Sequence, residues 1–378
     1  MAYTFEFMSI FKKIFSKKSL KTDPDFTSLN VDNFIRETEK AVTLQFDRPD
    51  GFEFQSGQYL TLRTTIDGQI IQRPYSLCSL PSDDFLRVTV KETPEGHFSK
   101  YVNQQTILGD SFDVLPPAGL FTFTPDANKK RHIVAFAGGS GITPIFSIIN
   151  NLLENEPKSK ITLVYGNRIE TDIIFKNSLN ELAENHKNRF QLIHVLSDVE
   201  KNHLSEFTGY ITVDVLNKLN ADYFSLPEID CFYLCGPGQM VEVIENELLN
   251  NGIEADNVKT ELFTAPPVND KNGLESEQNE DIVEAEVRLQ YNGTEKTVSY
   301  TDKSKSLLDT ALDNDVKVPF SCMNGVCSTC SAKLEEGTVK MNQNFALENE
   351  DVEAGYILTC QSHPTSEKIS VNWDDNKI

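Results

Sequence analysis

The sequence predicts a multidomain chain: a small antiparallel β-barrel, an α/β domain built on a parallel sheet, and a compact α+β unit at the C-terminal end. Three observations predict it. Residues 29–126 carry short alternating runs, such as Tyr59–Arg63 and Phe85–Val90, with no long amphipathic stretch between them. Beyond residue 130 apolar runs alternate with helical patterns, which is how a parallel sheet covered on both faces reads. From 282 onward two alternating segments lead to a short helical one and then to crowded cysteines. A chain of 378 residues is also too long for one ordinary core.

Residues 1–28 read as an N-terminal extension. Phe7, Phe11, Ile14 and Phe15 fall on one helical face and Lys12, Lys13, Lys17 and Lys18 on another. A membrane-surface helix is one reading, and a locally packed terminus is the plainer one. The segment lacks the apolar core and cleavage site of a signal peptide, and no apolar run approaches a membrane span. The expected location is therefore cytoplasmic.

Residues 29–126 form the expected barrel. In the next unit, 127–265, the run His132–Ala137 ends in glycines and is followed by a helical stretch from Thr143 to Glu154. Further apolar runs at Ile161–Tyr165, Phe190–Val195 and Cys231–Cys235 repeat the pattern, the last before a helix over Gln239–Asn251. Residues 266–281, rich in Pro, Asn, Gly and acids, read as a linker. In the last unit, 282–378, strands near 283–291 and 295–300 precede a helix near Ser306–Asn314, with Ser306 and Asp309 spaced as a helix-start capping pair.

The net charge of −22 argues against nucleic acid, whose phosphates demand a basic face. Pro266–Ile378 carries 21 acids and 10 bases, a balance of −11 and half the total. That suits docking on a basic protein partner or simply a solvated surface. The seven cysteines are an odd number, and four of them crowd one end, a pattern that favours metal over disulfides in a reducing compartment.

The strongest signal is Cys322-x4-Cys327-x2-Cys330 with Cys360 after twenty-nine intervening residues. This is the plant-type [2Fe–2S] spacing, in which four thiolates satisfy two tetrahedral irons. Structural zinc also takes four cysteines, but usually as two short paired knuckles, so a non-catalytic zinc scaffold is the rival reading. From 302 to 371 the chain resembles the plant-type ferredoxin family, including "SLLDTALDNDVKVPFSCMNGVCSTCSAKLEEGTVKM" and "GYILTCQSHP". That resemblance implies a β-grasp fold. His363, near the fourth cysteine, is expected at the surface rather than as a ligand.

Arg73-Pro74-Tyr75-Ser76 matches the flavin motif of the ferredoxin–NADP reductase superfamily. Arginine can fork onto a phosphate, tyrosine offers a ring beside a flavin, and Ser76 a hydroxyl at its reactive edge. Gly96, Phe98 and Ser99 stand where the superfamily contacts the FAD pyrophosphate, and Lys91 where it contacts the flavin. Gly138, Gly139, Gly141 and Thr143 follow a strand and open a helix, a place for a nicotinamide nucleotide pyrophosphate. By the same resemblance Cys235, Gly236 and Pro237 form the second nucleotide segment, with Cys235 beside the hydride path. Arg168 is positioned for a 2′-phosphate, which inclines the reading to NADPH over NADH. Phe263 follows Glu261 and Leu262 in the segment that closes the flavin site. Cys78 and Cys231 are read as buried strand cysteines.

Taken over 29–375, this order is similar to that of the reductase components of bacterial multicomponent oxygenases, and within them to the phenylacetyl-CoA epoxidase reductase-subunit family. The likeness implies an NAD(P)H-dependent oxidoreductase that passes electrons through FAD and a 2Fe-2S cluster to a diiron oxygenase. A desaturase or a Rieske dioxygenase is the alternative acceptor.

Overall fold

The computed structural model describes residues 25–198, 207–264 and 282–376. The expected linker lies outside the described residues, as does nearly all of the N-terminal extension with its Phe and Lys faces.

The first unit comprises β1 (Thr27–Asn30), β2 (Asn33–Thr38), β3 (Ala41–Asp47), β4 (Tyr59–Ile66), β5 (Gln69–Ser76), β6 (Phe85–Lys91) and β7 (Ser111–Val114). They form sheets ordered β1-β7-β4-β5 and β2-β3-β6, bridged between Leu77 and Val88. Alternate residues such as Leu44, Phe46, Leu60, Leu62, Val88 and Phe112 fill one interior. Pro74 sits in β5, an edge strand, where its missing N–H costs no ladder bond. The sequence shows no long helix here, and the one that does form, His97–Gln104, is short.

The second unit is a six-stranded parallel sheet ordered β11-β10-β9-β8-β12-β13. Its strands are β8 (His132–Gly138), β9 (Lys160–Asn167), β10 (Phe190–Leu196), β11 (Phe207–Thr208), β12 (Cys231–Gly236) and β13 (Val258–Leu262). Every residue of central β8 is buried. Ile133, Ala135 and Ala137 pack against helix Ile142–Asn155, while Val134 and Phe136 face a second core that includes Leu216, Leu219, Ile244 and Leu248. The chain runs outward from β8 through β11 and then returns to the other side of β8. The C-terminal ends of β8 and β12 therefore flank a topological switch point, where such sheets open a crevice for ligands.

The third unit has a mixed sheet ordered β15-β14-β20-β16-β18 and a pair β17-β19. These are β14 (Ala285–Tyr291), β15 (Thr294–Tyr300), β16 (Ser331–Glu336), β17 (Val339–Met341), β18 (Tyr356–Leu358), β19 (Ser362–Pro364) and β20 (Lys368–Asn372). Helix Leu307–Asp313 starts in the expected capping box between Ser306 and Asp309. Leu307, Leu308, Val371 and Trp373 are fully buried in its core. The architecture is thus multidomain, with a β-barrel, a parallel-sheet α/β unit and a β-grasp α+β unit. Among the described residues no helix is long and apolar enough to cross a membrane.

Candidate functional site

The flavin motif lies along β5. Arg73 is exposed and its Nη1 donates to the Gln72 carbonyl, leaving the rest of the guanidinium open to a ligand. Tyr75 is half-buried and its ring lies 5.7 Å from that of Phe98, so β5 and the start of helix His97–Gln104 are neighbours. Gly96 caps that helix with no side-chain acceptor, and no acid stands in its first turn. A Cβ at Gly96 would meet the hydroxyls of Thr93 and Ser99 at 2.2 Å, which explains the glycine. Ser99 Oγ donates to the Gly96 carbonyl and accepts from the Thr93 N–H.

The two nucleotide segments meet at the switch point. A Cβ on Gly141 would stand 2.1 Å from the Cys235 carbonyl oxygen, so only glycine lets these loops pack. Gly138 packs against Pro237 and Met240 in the same way. Helices Ile142–Asn155 and Gly238–Asn250 both start without a side-chain cap or a first-turn acid. By contrast, helices at 307 and 349 carry capping boxes. Three helix starts at glycine-bearing loops, with neither a side-chain cap nor a first-turn acid, suit the phosphates of two dinucleotides. Thr143 is buried and donates to the Ser140 carbonyl, shaping the loop. The Lys91 ammonium lies against Gly139, and burial holds its pKa below the ordinary value while Asp172 pulls the other way. Arg168 is exposed at the end of β9, 3.4 Å from Asp172. Phe263 is 38 % exposed just past β13.

The sequence reading missed Glu261 as a functional group. Its Oε2 accepts from Ser76 Oγ at 3.3 Å and from Cys235 Sγ at 3.9 Å, joining the two units at one carboxyl. Burial pushes the Glu261 carboxyl up to about 8, with the Ser76 and Cys235 hydrogen bonds working against it. At neutral pH it therefore holds a proton. Burial likewise keeps Cys235 a neutral thiol. An acid within a strand, just ahead of the Leu262–Phe263 pair, was the one available signal.

The four cysteines of the third unit converge as two pairs. Cys322 shares a hydrogen bond with Cys327, and Cys330 with Cys360. That bond to Cys327 holds Cys322 below the ordinary thiol value, helped by backbone N–H groups of Asn324, Val326 and Cys327. Among the described residues no three His, Cys, Asp or Glu side chains gather as a single metal ion would need. The four thiols are the soft donors that the two irons of a [2Fe–2S] cluster would need. Gly325, at φ +70°, allows the loop to turn back, and Phe345 N–H bonds its carbonyl. His363 corrects an expectation. It is buried at 6 % exposure, bonded to Tyr300 and Asn342, because β19 packs under helix Leu307–Asp313. Of the three other cysteines, Cys235 is buried in β12, Cys78 is buried but just past the end of β5 rather than in a strand, and Cys231 is only half-buried at the start of β12.

The cysteine loop is seated on the barrel. Tyr59 OH and Thr329 Oγ1 are 2.7 Å apart, Thr61 Oγ1 donates to Ser321 Oγ at 2.9 Å, and Gln72 Nε2 donates to the Phe320 carbonyl at 2.7 Å. A cavity of about 350 Å³ opens where the three units meet, lined by Tyr59, Thr260, Glu261, Cys327 and Leu347 among others.

Three family models match the chain in series: an oxidoreductase FAD-binding domain over 27–123, an oxidoreductase NAD-binding domain over 136–246, and a 2Fe-2S iron-sulfur cluster binding domain over 289–365. The chain is 32 % identical to a component of the 1,2-phenylacetyl-CoA epoxidase of Escherichia coli (strain K12), covering 92 % of this chain and 98 % of that one. It is 33 % identical to the ferredoxin reductase component of 3-ketosteroid-9-alpha-monooxygenase from Rhodococcus rhodochrous, covering 91 % and 96 %. The solved structure of phthalate dioxygenase reductase shares the fold, with a TM-score of 0.56 at 22 % identity over 92 % of this chain and 98 % of that one.

Proposed function

Because this chain belongs to the family of NAD(P)H-dependent flavin and iron–sulfur reductases that serve oxygenases, we propose that it supplies electrons to a diiron oxygenase of the phenylacetyl-CoA epoxidase kind. One observation carries the order of the carriers. The cysteine loop rests on β4 and β5, the strand pair that bears the flavin motif, through hydrogen bonds at Tyr59, Thr61 and Gln72. When bound, FAD exchanges electron pairs with a nicotinamide and single electrons with a [2Fe–2S] cluster.

The chain's own residues bind, orient and exclude water. Arg73 and the N–H groups after Gly96 would hold the FAD phosphates, and Tyr75 would offer its ring to the flavin. The loops at Gly138–Thr143 and Cys235–Pro237 would hold the nicotinamide nucleotide, with Arg168 on a 2′-phosphate, giving a preference for NADPH; Lys91, expected at the flavin, has its ammonium against Gly139 and would serve where the two cofactors meet. Ser76, Cys235 and Glu261 form a hydrogen-bonded set in which Glu261 keeps a proton at neutral pH and fixes the Ser76 hydroxyl. Phe263, exposed just past β13, would cover the flavin face until a nicotinamide displaces it. Cys322, Cys327, Cys330 and Cys360 would ligate the irons of the cluster. A cytoplasmic location fits free thiols that need a reducing compartment.

The test is a comparison of wild type with Cys327→Ser in the full chain. Wild type purified anaerobically contains flavin and iron, and reduces both ferricyanide and cytochrome c with NADPH. Cys327→Ser keeps ferricyanide reduction within about twofold but loses at least about 90 % of cytochrome c reduction. Equal cytochrome c rates in the two proteins would place electron exit at the flavin and defeat the reading. Turnover of a reconstituted epoxidase supports the named acceptor, and turnover only with a Rieske oxygenase refutes it.

A further inference from the structure

The contact between Tyr59 and the cysteine loop has a built-in direction. Tyr59 is 4 % exposed and Thr329 3 %, so neither hydroxyl is satisfied by bulk water. Thr329 Oγ1 lies 2.7 Å from Tyr59 OH and 3.5 Å from Cys327 Sγ. Each hydroxyl owns a single proton. A cysteine sulfur that ligates iron is a thiolate and can only accept, so the Thr329 proton points to sulfur. Tyr59 must then donate to Thr329.

The placement of Tyr59 is equally specific. In the β4–β5 ladder it stands directly opposite Ser76, the hydroxyl of the flavin motif. Its ring packs with Ala118, Cys327 and Cys322 in a small apolar cluster between the barrel and the cysteine loop. Gly119, at φ +118°, makes room for that ring: a Cβ there would lie 2.9 Å from it. Thr61 and Gln72, bonded to Ser321 and the Phe320 carbonyl, hold the residues just before Cys322.

We infer that Tyr59 is a positioning residue for the cluster: it donates to Thr329, which donates to the Cys327 sulfur, so the flavin-bearing strand pair tunes the potential of the cluster it holds. This rests on Cys327 being a ligand, as proposed above. Hydrogen bonds to a ligating sulfur favour the more negative, reduced state. Removing either donor therefore lowers the midpoint potential.

The experiment is an EPR-monitored redox titration of the full, cofactor-loaded chain and its variants. Tyr59→Phe and Thr329→Val are expected to cut the reduced-to-oxidised ratio at fixed potential by about fivefold, the worth of one hydrogen bond. Thr329→Ser restores it, and the double variant Tyr59→Phe/Thr329→Val falls no further than Thr329→Val alone. Tyr59→Phe with a full cluster and an unchanged titration overturns the relay. So does a Tyr59→Phe protein that loses its cluster while Thr329→Val keeps it, since Tyr59 is then only packing. If Cys327→Ser retains the wild-type cluster spectrum, the ligand assignment itself fails, a result separable from either of those.

Discussion

At Glu261 the chain keeps an acid where apolar residues would pack more cheaply. Its carboxyl, raised to about 8 by burial, binds its proton more tightly folded than unfolded. The sign follows from that. The stability tied to this group is whole below the unfolded carboxylate value and is lost as pH rises toward and through about 8. Glu261→Gln, neutral at every pH, is expected to gain in melting temperature over wild type steadily between pH 5 and 8; parallel curves across that range would refute the raised value. Arg168 is a second residue-level test. Its pair with Asp172 is exposed and contributes little to stability, so the guanidinium is free to exchange partners. Arg168→Ala should raise the KM for NADPH about tenfold, roughly 1.4 kcal/mol, and leave that for NADH near wild type. A matched change for both nucleotides would remove the 2′-phosphate role. Arg168 was visible in the sequence as a cation at a strand end, whereas the Glu261 role was not, because its partners lie 185 and 26 residues away.

Among the elements, the periodic ones were legible: β8, β9, β10 and β12, the helices that follow β8 and β12, and the capped helix at 307. Short strands such as β11, β17 and β19 carry two or three residues, too few for a period to declare itself. Helix Lys176–Asn185 also gave no clear start, since Phe175 precedes it in the left-handed region at φ +58° without a capping side chain. The loop before helix Ile142–Asn155 offers a direct test. Gly141→Ala would push a methyl into the Cys235 carbonyl, backbone against backbone, where no side chain can yield. We expect a loss of about 1–3 kcal/mol in urea unfolding and a weakened nucleotide affinity in calorimetry. Wild-type values for both would mean that the two loops part without cost.

For the whole molecule, the net charge of −22 sets a long-range field, and the C-terminal unit carries its denser share. Reduction of cytochrome c, a basic acceptor, should slow by about tenfold between about 20 and about 300 mM salt, while ferricyanide reduction does not slow. A cytochrome c rate indifferent to salt would exclude steering by that charge. The sequence by itself determined the three-part order and marked the candidate cluster cysteines and the candidate glycines of the nucleotide loops, because periodicity, composition and short motifs are properties of the chain before it folds. The tertiary structure alone decided what covers the outer face of β4. Tyr59, Thr61 and Arg63 alternate with Leu60 and Leu62 as a half-exposed strand would, yet all five are buried. The third unit sits on that face, about 260 residues further along the chain. Alternation tells which side chains share a face; only the folded chain, bringing distant segments into contact, determines whether that face meets water or the cysteine loop.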